Sequence, residues 1–160
     1  MQKPLALALT GVAIVTALAA GSRDSPAPIH PRTAAWYAAL DKPSFTPPGP
    51  VFGIVWPILD ALLWFAGFRL ATRPRSPARS LALLTWLASV VGIGGYSYVF
   101  FGRKQPGEAL GVTAGMLGAS AGLVASAARV DPPAAIASAP LVAWLLFANV
   151  LQEEVWRRNR

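Results

Sequence analysis

Five apolar stretches, each about twenty residues long, constrain the fold of this chain more than any other feature. They cover about residues 4–22, 51–70, 80–101, 106–128 and 134–156. About 20 apolar residues are needed for a helix to cross the hydrocarbon core of a bilayer. A helix also satisfies every backbone polar group within its own segment, which lipid cannot do for it. We therefore predict an all-α fold, an integral membrane bundle of five transmembrane helices.

The composition supports a membrane location and a single domain over residues 1–160. Charged residues make up 13% of the chain, whereas a soluble domain carries about 25%, and the mean hydropathy is +0.48. The first apolar stretch also fits a secretory signal peptide, because Lys3 precedes it and Ala17-Leu18-Ala19 offers a small-residue cleavage site. We interpret it as a retained first span, in a multi-pass protein that we expect in a bacterial cell envelope.

The residue types exclude several kinds of chemistry. The chain has no cysteine and a single histidine, His30, which argues against a metal site or a Ser-His-Asp triad inside the bundle. We assign the net charge of +7 to contact with anionic headgroups of the lipid bilayer and expect no nucleic-acid partner, because the basic residues flank apolar spans. Basic residues flank both ends of the spans, so the positive-inside rule leaves the orientation open.

The segment between the first two spans, residues 23–50, is rich in proline and aromatic residues. Four prolines between positions 43 and 50 fix φ and remove backbone donors, which makes this part of the chain stiff. The aromatic residues that bracket it are Trp36, Tyr37, Phe45, Phe52 and Trp56. Two interpretations are open: an anchor at the membrane interface, or a preformed lid over a pocket for a flat apolar ligand.

The fourth span carries regularly spaced glycines, which are Gly107, Gly111, Gly115, Gly118 and Gly122. Small residues at such spacing let membrane helices pack backbone to backbone. The pattern predicts a close helix contact, either within one chain or across a homodimer.

One acidic residue, Asp60, lies within the second span. A carboxylate near the bilayer centre costs about 3 kcal/mol on insertion scales, and such residues usually face the bundle interior or a cavity. No basic residue lies at a comparable depth, so we expect Asp60 to be neutral or bonded to a hydroxyl such as that of Tyr96 or Tyr98. Its role is either a hydrogen bond within the bundle or a ligand or proton site.

Three further polar or amphipathic side chains lie within the apolar spans. We interpret Trp64 and Trp86 as lipid-facing or interfacial residues. Gln152 fits a hydrogen bond between helices better than a contact to a ligand carbonyl.

Several short motifs together resemble the TspO/MBR family of tryptophan-rich sensory proteins. They are Trp36-Tyr37-x-x-Leu40-x-Lys42-Pro43-Ser44-Phe45-x-Pro47-Pro48, Phe52-Gly53-x-x-Trp56, Phe100-Phe101-Gly102, Pro140-x-x-x-Trp144-x-x-Phe147 and Trp156-x-x-Asn159. The first motif is specific and the short ones are not. The helix count and spacing match over about residues 4–160.

The resemblance implies a five-helix bundle, often dimeric, whose first loop caps a pocket for porphyrins and other flat hydrophobic molecules. It implies protoporphyrin IX or a haem-like porphyrin as a ligand and no obligatory cofactor. Trp56 and Trp144 fall at pocket positions, where their faces would stack on a tetrapyrrole, and Trp36 falls in the lid. The expected ligand-binding residues are Trp36, Tyr37, Phe45, Phe52, Trp56, Asp60, Tyr96 and Trp144.

The sequence departs from the family pattern inside the bundle. Ile93 and Tyr96 stand where the family usually has asparagine and tryptophan, and Asp60 stands where a tyrosine is common. Gln152 and Glu153 occupy a usual Asn-Tyr pair. These departures predict a retained fold with a changed pocket.

We interpret the chain as a membrane receptor or regulator that binds planar hydrophobic ligands inside the bundle. Three alternatives remain: a small-molecule transporter that uses Asp60, a light-dependent porphyrin-degrading enzyme, and a dimeric interaction scaffold. The enzyme would need an oxidisable Trp56 or Trp144 beside the porphyrin, and the replacement of the third-span tryptophan by Tyr96 argues against it.

Overall fold

A computed structural model describes residues 2–160, which form six α-helices and no strand. The helices are α1 (Lys3–Asp24), α2 (Pro31–Ala39), α3 (Gly49–Thr72), α4 (Pro77–Ser97), α5 (Pro106–Ala128) and α6 (Pro132–Arg158). A π-helical turn, Tyr98–Gly102, extends α4. Five helices are long and apolar enough to cross a membrane: α1, α3, α4 with its extension, α5 and α6. The prediction of an all-α bundle with five membrane-spanning helices is confirmed.

Proline marks the start of every helix. Each of the six helices has a proline in its first two positions, where its missing N–H leaves no hydrogen bond unmade. Ser76 and Asp131 add side-chain caps by accepting hydrogen bonds from the first turns of α4 and α6.

The segment between the first two spans contains a helix, α2, that the sequence analysis did not predict. Pro31 occupies its first position and so is compatible with it. The helix places Trp36 and Tyr37 against the π-helical turn, with ring centroids 5.4 Å from Phe100 and 5.5 Å from Phe101, respectively. Aromatic packing therefore holds α2 at the end of the bundle.

The helix α5 packs against both α4 and α6, while α1 packs against α3 and α4, and α3 also contacts α6. Short polar side chains join these helices inside the apolar core. The hydroxyl groups of Ser89 and Ser120 lie 3.1 Å apart, and the Thr113 hydroxyl donates to Asn149 Oδ1 at 3.2 Å. Such contacts are typical of membrane helices, because lipid leaves a polar group no other partner.

One half of the bundle, which we call the closed half, is filled by side chains near the end of α3 and the start of α4. Leu63 and Leu70 are fully buried there. Trp86 is also buried, and its indole donates to the Leu63 carbonyl at 2.8 Å. Its ring lies directly over Gly67, where a Cβ atom would collide with it. The interpretation of Trp86 as lipid-facing is therefore wrong, whereas Trp64 does lie exposed on the outer surface.

Asp131, which directly precedes α6, forms ion pairs at the end of the closed half that lies furthest from the proline-rich segment. Its side chain is completely buried and accepts hydrogen bonds from Nε of Arg69, at 2.9 Å, and from Nε of Arg73. Burial raises the pKa of Asp131, but the hydrogen bonds from the two guanidinium groups outweigh it and hold the pKa below its usual value. The ion pairs fix the turn between α5 and α6 against the end of α3.

Candidate ligand-binding site

The other half of the bundle, which we call the open half, contains a cavity of about 720 Å³. This volume lies within the range of about 300–1,000 Å³ that is typical of small-molecule sites. All five long helices and the segment between α1 and α3 contribute to its wall. Six of the eight predicted ligand-binding residues line it: Tyr37, Phe52, Trp56, Asp60, Tyr96 and Trp144.

The proline-rich segment forms the part of the cavity wall that is furthest from the closed half. Lys42 folds this segment back onto the end of α2, because its Nζ donates to the carbonyls of Tyr37 at 2.6 Å and Leu40 at 3.0 Å. The Thr46 hydroxyl donates to the Pro43 carbonyl at 2.7 Å. Burial raises the pKa of the Tyr37 phenol. These local bonds and the fixed φ of the prolines give the segment one defined shape.

A pair of hydrogen bonds ties this segment to the end of α6. The backbone N–H of Asp41 donates to Asn159 Oδ1 at 3.0 Å, and Asn159 Nδ2 donates to the Asp41 carbonyl at 2.8 Å. This contact, the Asn159 latch, joins residues far apart in sequence. It is exposed, so its opening exposes little apolar surface.

Aromatic rings form much of the inner surface. Phe52 on α3 meets Trp144 on α6 edge to face at 5.7 Å, and Tyr96 on α4 stacks on Phe100 at 5.4 Å with ring planes 10° apart. These pairs hold aromatic side chains on three helices in fixed orientations. The cavity therefore offers flat apolar faces from more than one direction.

Two predicted ligand-binding residues, Trp36 and Phe45, do not line the cavity. Trp36 is half-buried against Phe100, behind the wall. Phe45 is largely exposed and packs against Phe147, with ring centroids 6.4 Å apart. Trp36 thus supports Phe100 of the wall from outside, and Phe45 packs on Phe147, which in turn contacts Trp144 of the wall.

Asp60 lies in the cavity wall, and of the two alternatives expected for it, the hydrogen bond to a tyrosine hydroxyl is not formed. Tyr98 is exposed on the outside, and the Tyr96 hydroxyl instead donates to Gln152 Oε1 at 2.9 Å. Gln152 Nε2 donates to the Pro106 carbonyl at 2.8 Å, so this side chain joins three helices, as expected. Only 4% of Asp60 is exposed, and neither of its carboxyl oxygens has a hydrogen-bond partner within residues 2–160.

The wall also contains residues that sequence reasoning missed, on α1, α4 and α5. Examples are Leu18, Ser22, Ser97, Thr113 and Met116. Short polar and aliphatic side chains occur on all faces of these helices, and no local pattern separates the inward ones. Their place in the wall follows only from how the helices pack.

The glycines of α5 fall into two groups. A Cβ atom on Gly107 would press on Trp156, and one on Gly122 would press on Thr85, so both positions allow close packing within the chain. Gly111, Gly115 and Gly118 are exposed and face open space. We call these three residues the open glycine face.

The fold and the cavity define an α-helical membrane protein with a ligand-sized pocket inside its bundle. The TspO/MBR family model matches residues 6–157. The human translocator protein is 30% identical over 141 residues, covering 82% of this chain and 79% of that protein. The tryptophan-rich sensory protein of Cereibacter sphaeroides is 31% identical over 124 residues, covering 78% and 77%. The chain belongs to the TspO/MBR family.

Proposed function

We propose that this protein is a membrane receptor or regulator that binds a porphyrin-like or other planar hydrophobic molecule in the open half of the bundle. The observation that carries the proposal is the cavity of about 720 Å³ with Phe52, Trp56 and Trp144 in its wall. Membership of a family whose relatives are named tryptophan-rich sensory proteins agrees with a regulatory role.

The wall suits a flat ligand for a physical reason. Burial of apolar area contributes about 25 cal/mol per Å², and each well-placed aromatic pair adds about 1 kcal/mol beyond its area. Trp56 and Trp144 each present an indole, which has the largest aromatic surface of any side chain. A rigid planar molecule would receive the free energy of both apolar burial and aromatic pairing, with little loss of its own conformational freedom.

Quenching of tryptophan fluorescence by protoporphyrin IX tests the proposal. The purified protein should show saturable quenching, and Trp144→Phe should raise the midpoint of the titration about tenfold, because it removes part of the wall. The matched control Trp64→Phe removes an exposed tryptophan outside the cavity and should leave the midpoint unchanged. Quenching that never saturates, or that shifts equally in both variants, would contradict the proposal.

The same complex distinguishes the proposal from enzyme and transporter functions. A receptor leaves the bound porphyrin chemically intact under illumination and does not move it between the two sides of a vesicle. Loss of tetrapyrrole absorbance in light would indicate a degrading enzyme. Accumulation of the porphyrin inside proteoliposomes would indicate a transporter if Asp60→Asn abolished it.

We also propose that a second copy of the chain packs on the open glycine face of α5. Exposed glycines let two helix axes approach closely in lipid. Gly115→Leu should convert the dimer to a monomer in light-scattering measurements, without lowering the melting temperature. Gly53→Leu is the control, because Gly53 is equally exposed and free of neighbours but lies on α3. A Gly115→Leu protein that stays dimeric would refute this contact.

A further inference from the structure

We infer that Asp60 makes the cavity selective for planar ligands that direct a cationic or neutral N–H donor, such as a protonated amine, toward the middle of the bundle. The inference rests on the proposed function, because it concerns the same cavity, and it specifies the chemical class of the ligand. Flat molecules without such a donor should bind less tightly.

The first support is the state of the carboxyl group itself. Asp60 is 96% buried, since only 4% of it is exposed, and both of its oxygens lack a hydrogen-bond partner within the described residues. A buried polar group without a partner is destabilising, and native proteins keep few of them. Asp60 also lines the cavity, and a rotation of its side chain would bring the carboxyl oxygens, which are nearly inaccessible as they stand, within reach of a donor on a bound ligand.

The second support is that Asp60 is the one carboxyl group among the described residues of the wall, and that several neutral polar side chains there already have partners. The Tyr96 hydroxyl donates to Gln152 and the Thr113 hydroxyl donates to Asn149. Lys42 is the one basic residue among the described residues of the wall. Its Nζ donates hydrogen bonds to three backbone carbonyls at the far end of the cavity. Asp60 is therefore the one acidic acceptor that the described wall offers to a cationic donor.

The third support is the arrangement of side chains along α3. Phe52, Trp56 and Asp60 all line the cavity, and their spacing of four residues puts them on one face of the helix, one turn apart. Two aromatic rings thus lead from the proline-rich segment to a carboxyl group. A flat ligand stacked on these rings would place its inner edge at Asp60.

Aromatic faces also favour the same kind of ligand. The face of an indole attracts a cation electrostatically, and the attraction grows when water is excluded. Trp56 lies one turn before Asp60, and Trp144 lines the same cavity from α6. A planar cation would be attracted electrostatically by both tryptophan rings and by the carboxylate. A neutral hydrocarbon would leave Asp60 without a hydrogen-bond partner.

A pair of acridines of nearly equal shape tests the inference. 9-Aminoacridine is a planar cation with N–H donors at neutral pH, and acridine is the same tricycle, uncharged and without a donor. In a non-ionic detergent, the wild-type protein should bind 9-aminoacridine at least about tenfold more tightly than acridine. Asp60→Asn should reduce the ratio of the two dissociation constants to near one.

The matched control is Glu108→Gln, which removes one negative charge at an exposed site outside the cavity and should leave the ratio unchanged. Melting followed by circular dichroism should show Asp60→Asn folded and at least as stable as wild type, because asparagine has nearly the same shape and its amide costs no more to bury than an unpaired carboxyl group. An equal ratio in wild type and Asp60→Asn, or no saturable binding of either acridine, would overturn the inference.

Titration with protoporphyrin IX in parallel separates this inference from the proposed function. Tight porphyrin binding without a preference between the acridines would refute selection by Asp60 and keep the proposed function. An Asp60-dependent preference for 9-aminoacridine without porphyrin binding would support the inference and refute porphyrin as the ligand.

Discussion

The two buried aspartates of this protein have opposite surroundings. Asp131, in the closed half, accepts hydrogen bonds from Arg69 and Arg73 and from the first turn of α6. Asp60, in the open half, has no partner among the described residues and lines the cavity. The first carboxylate is paired within the protein, whereas the second is the group that we infer to meet a ligand.

The difference follows from depth in the membrane. Asp131 lies in a turn between two spans, where long arginine side chains reach it and still keep part of their surface accessible. Asp60 lies in the middle of a span, at a depth where lysine and arginine are rarely found because of their cost. The described residues therefore supply Asp60 with no partner, and the inferred ligand would supply one.

Removal of the Asp131 carboxylate should have the largest effect on stability. Asp131→Ala leaves two arginines without their buried partner and also removes the cap of α6, so the free energy of unfolding should fall by about 3 kcal/mol. Denaturation in mixed micelles, followed by circular dichroism, measures the change. Glu108→Gln, which breaks an exposed ion pair, should cost less than about 1 kcal/mol; equal losses in the two variants would contradict the role of Asp131.

Overpacking of the closed half should cost somewhat less. Gly67→Ala forces a Cβ atom against the Trp86 ring and should lower the free energy of unfolding by about 2 kcal/mol. Gly53→Ala on the same helix meets open space and should be neutral or slightly stabilising, because alanine is the better helix former. Equal changes in melting temperature for Gly67→Ala and Gly53→Ala would contradict tight packing at Gly67.

Acidification should weaken the closed half through Asp131. Its pKa is lower in the folded protein than its ordinary value of 3.8, so its contribution to stability is complete above that value and is lost as the pH falls through the lowered pKa. The wild-type melting temperature should therefore decline below about pH 4 more steeply than that of Asp131→Asn. Melting temperatures that decline equally with falling pH in wild type and Asp131→Asn would rule out this contribution of Asp131.

The smallest effect on stability is expected at the edge of the open half. Asn159→Ala removes the two hydrogen bonds of the Asn159 latch, which are exposed and should contribute about 1 kcal/mol or less. Because the segment behind them covers the cavity, ligand dissociation should become several-fold faster. Stopped-flow displacement of protoporphyrin IX measures the rate; an unchanged rate would mean that the ligand leaves by another route.

The sequence predicted the helices of the bundle well, because hydrophobic length alone determines a membrane span. With the π-helical extension counted as part of α4, every predicted span agrees with its helix to within three residues at each end. The short α2 was missed, since its stability comes from packing of Trp36 and Tyr37 on Phe100 and not from its own composition. A proline-rich segment gives little local signal for such a helix.

The orientation of single side chains was predicted less well. Nothing in the local pattern indicates that Trp86 lies over Gly67 or that Tyr96 bonds Gln152, because both contacts join helices whose rotation depends on the whole bundle. The pairing of Arg69 and Arg73 with Asp131 was missed for the same reason. Asp60 was recognised because an acid inside a span is conspicuous whatever its partners are.

Ligand protection of a single cysteine tests the central claim most directly, because the chain has no cysteine of its own. Ala148 lines the cavity, and Ala128, at the far end of α5, is exposed outside it. Protoporphyrin IX should slow methanethiosulfonate labelling of Ala148→Cys with the concentration dependence of fluorescence quenching, and should leave Ala128→Cys unaffected. Bound porphyrin that leaves the labelling of Ala148→Cys unchanged would show that the ligand lies elsewhere.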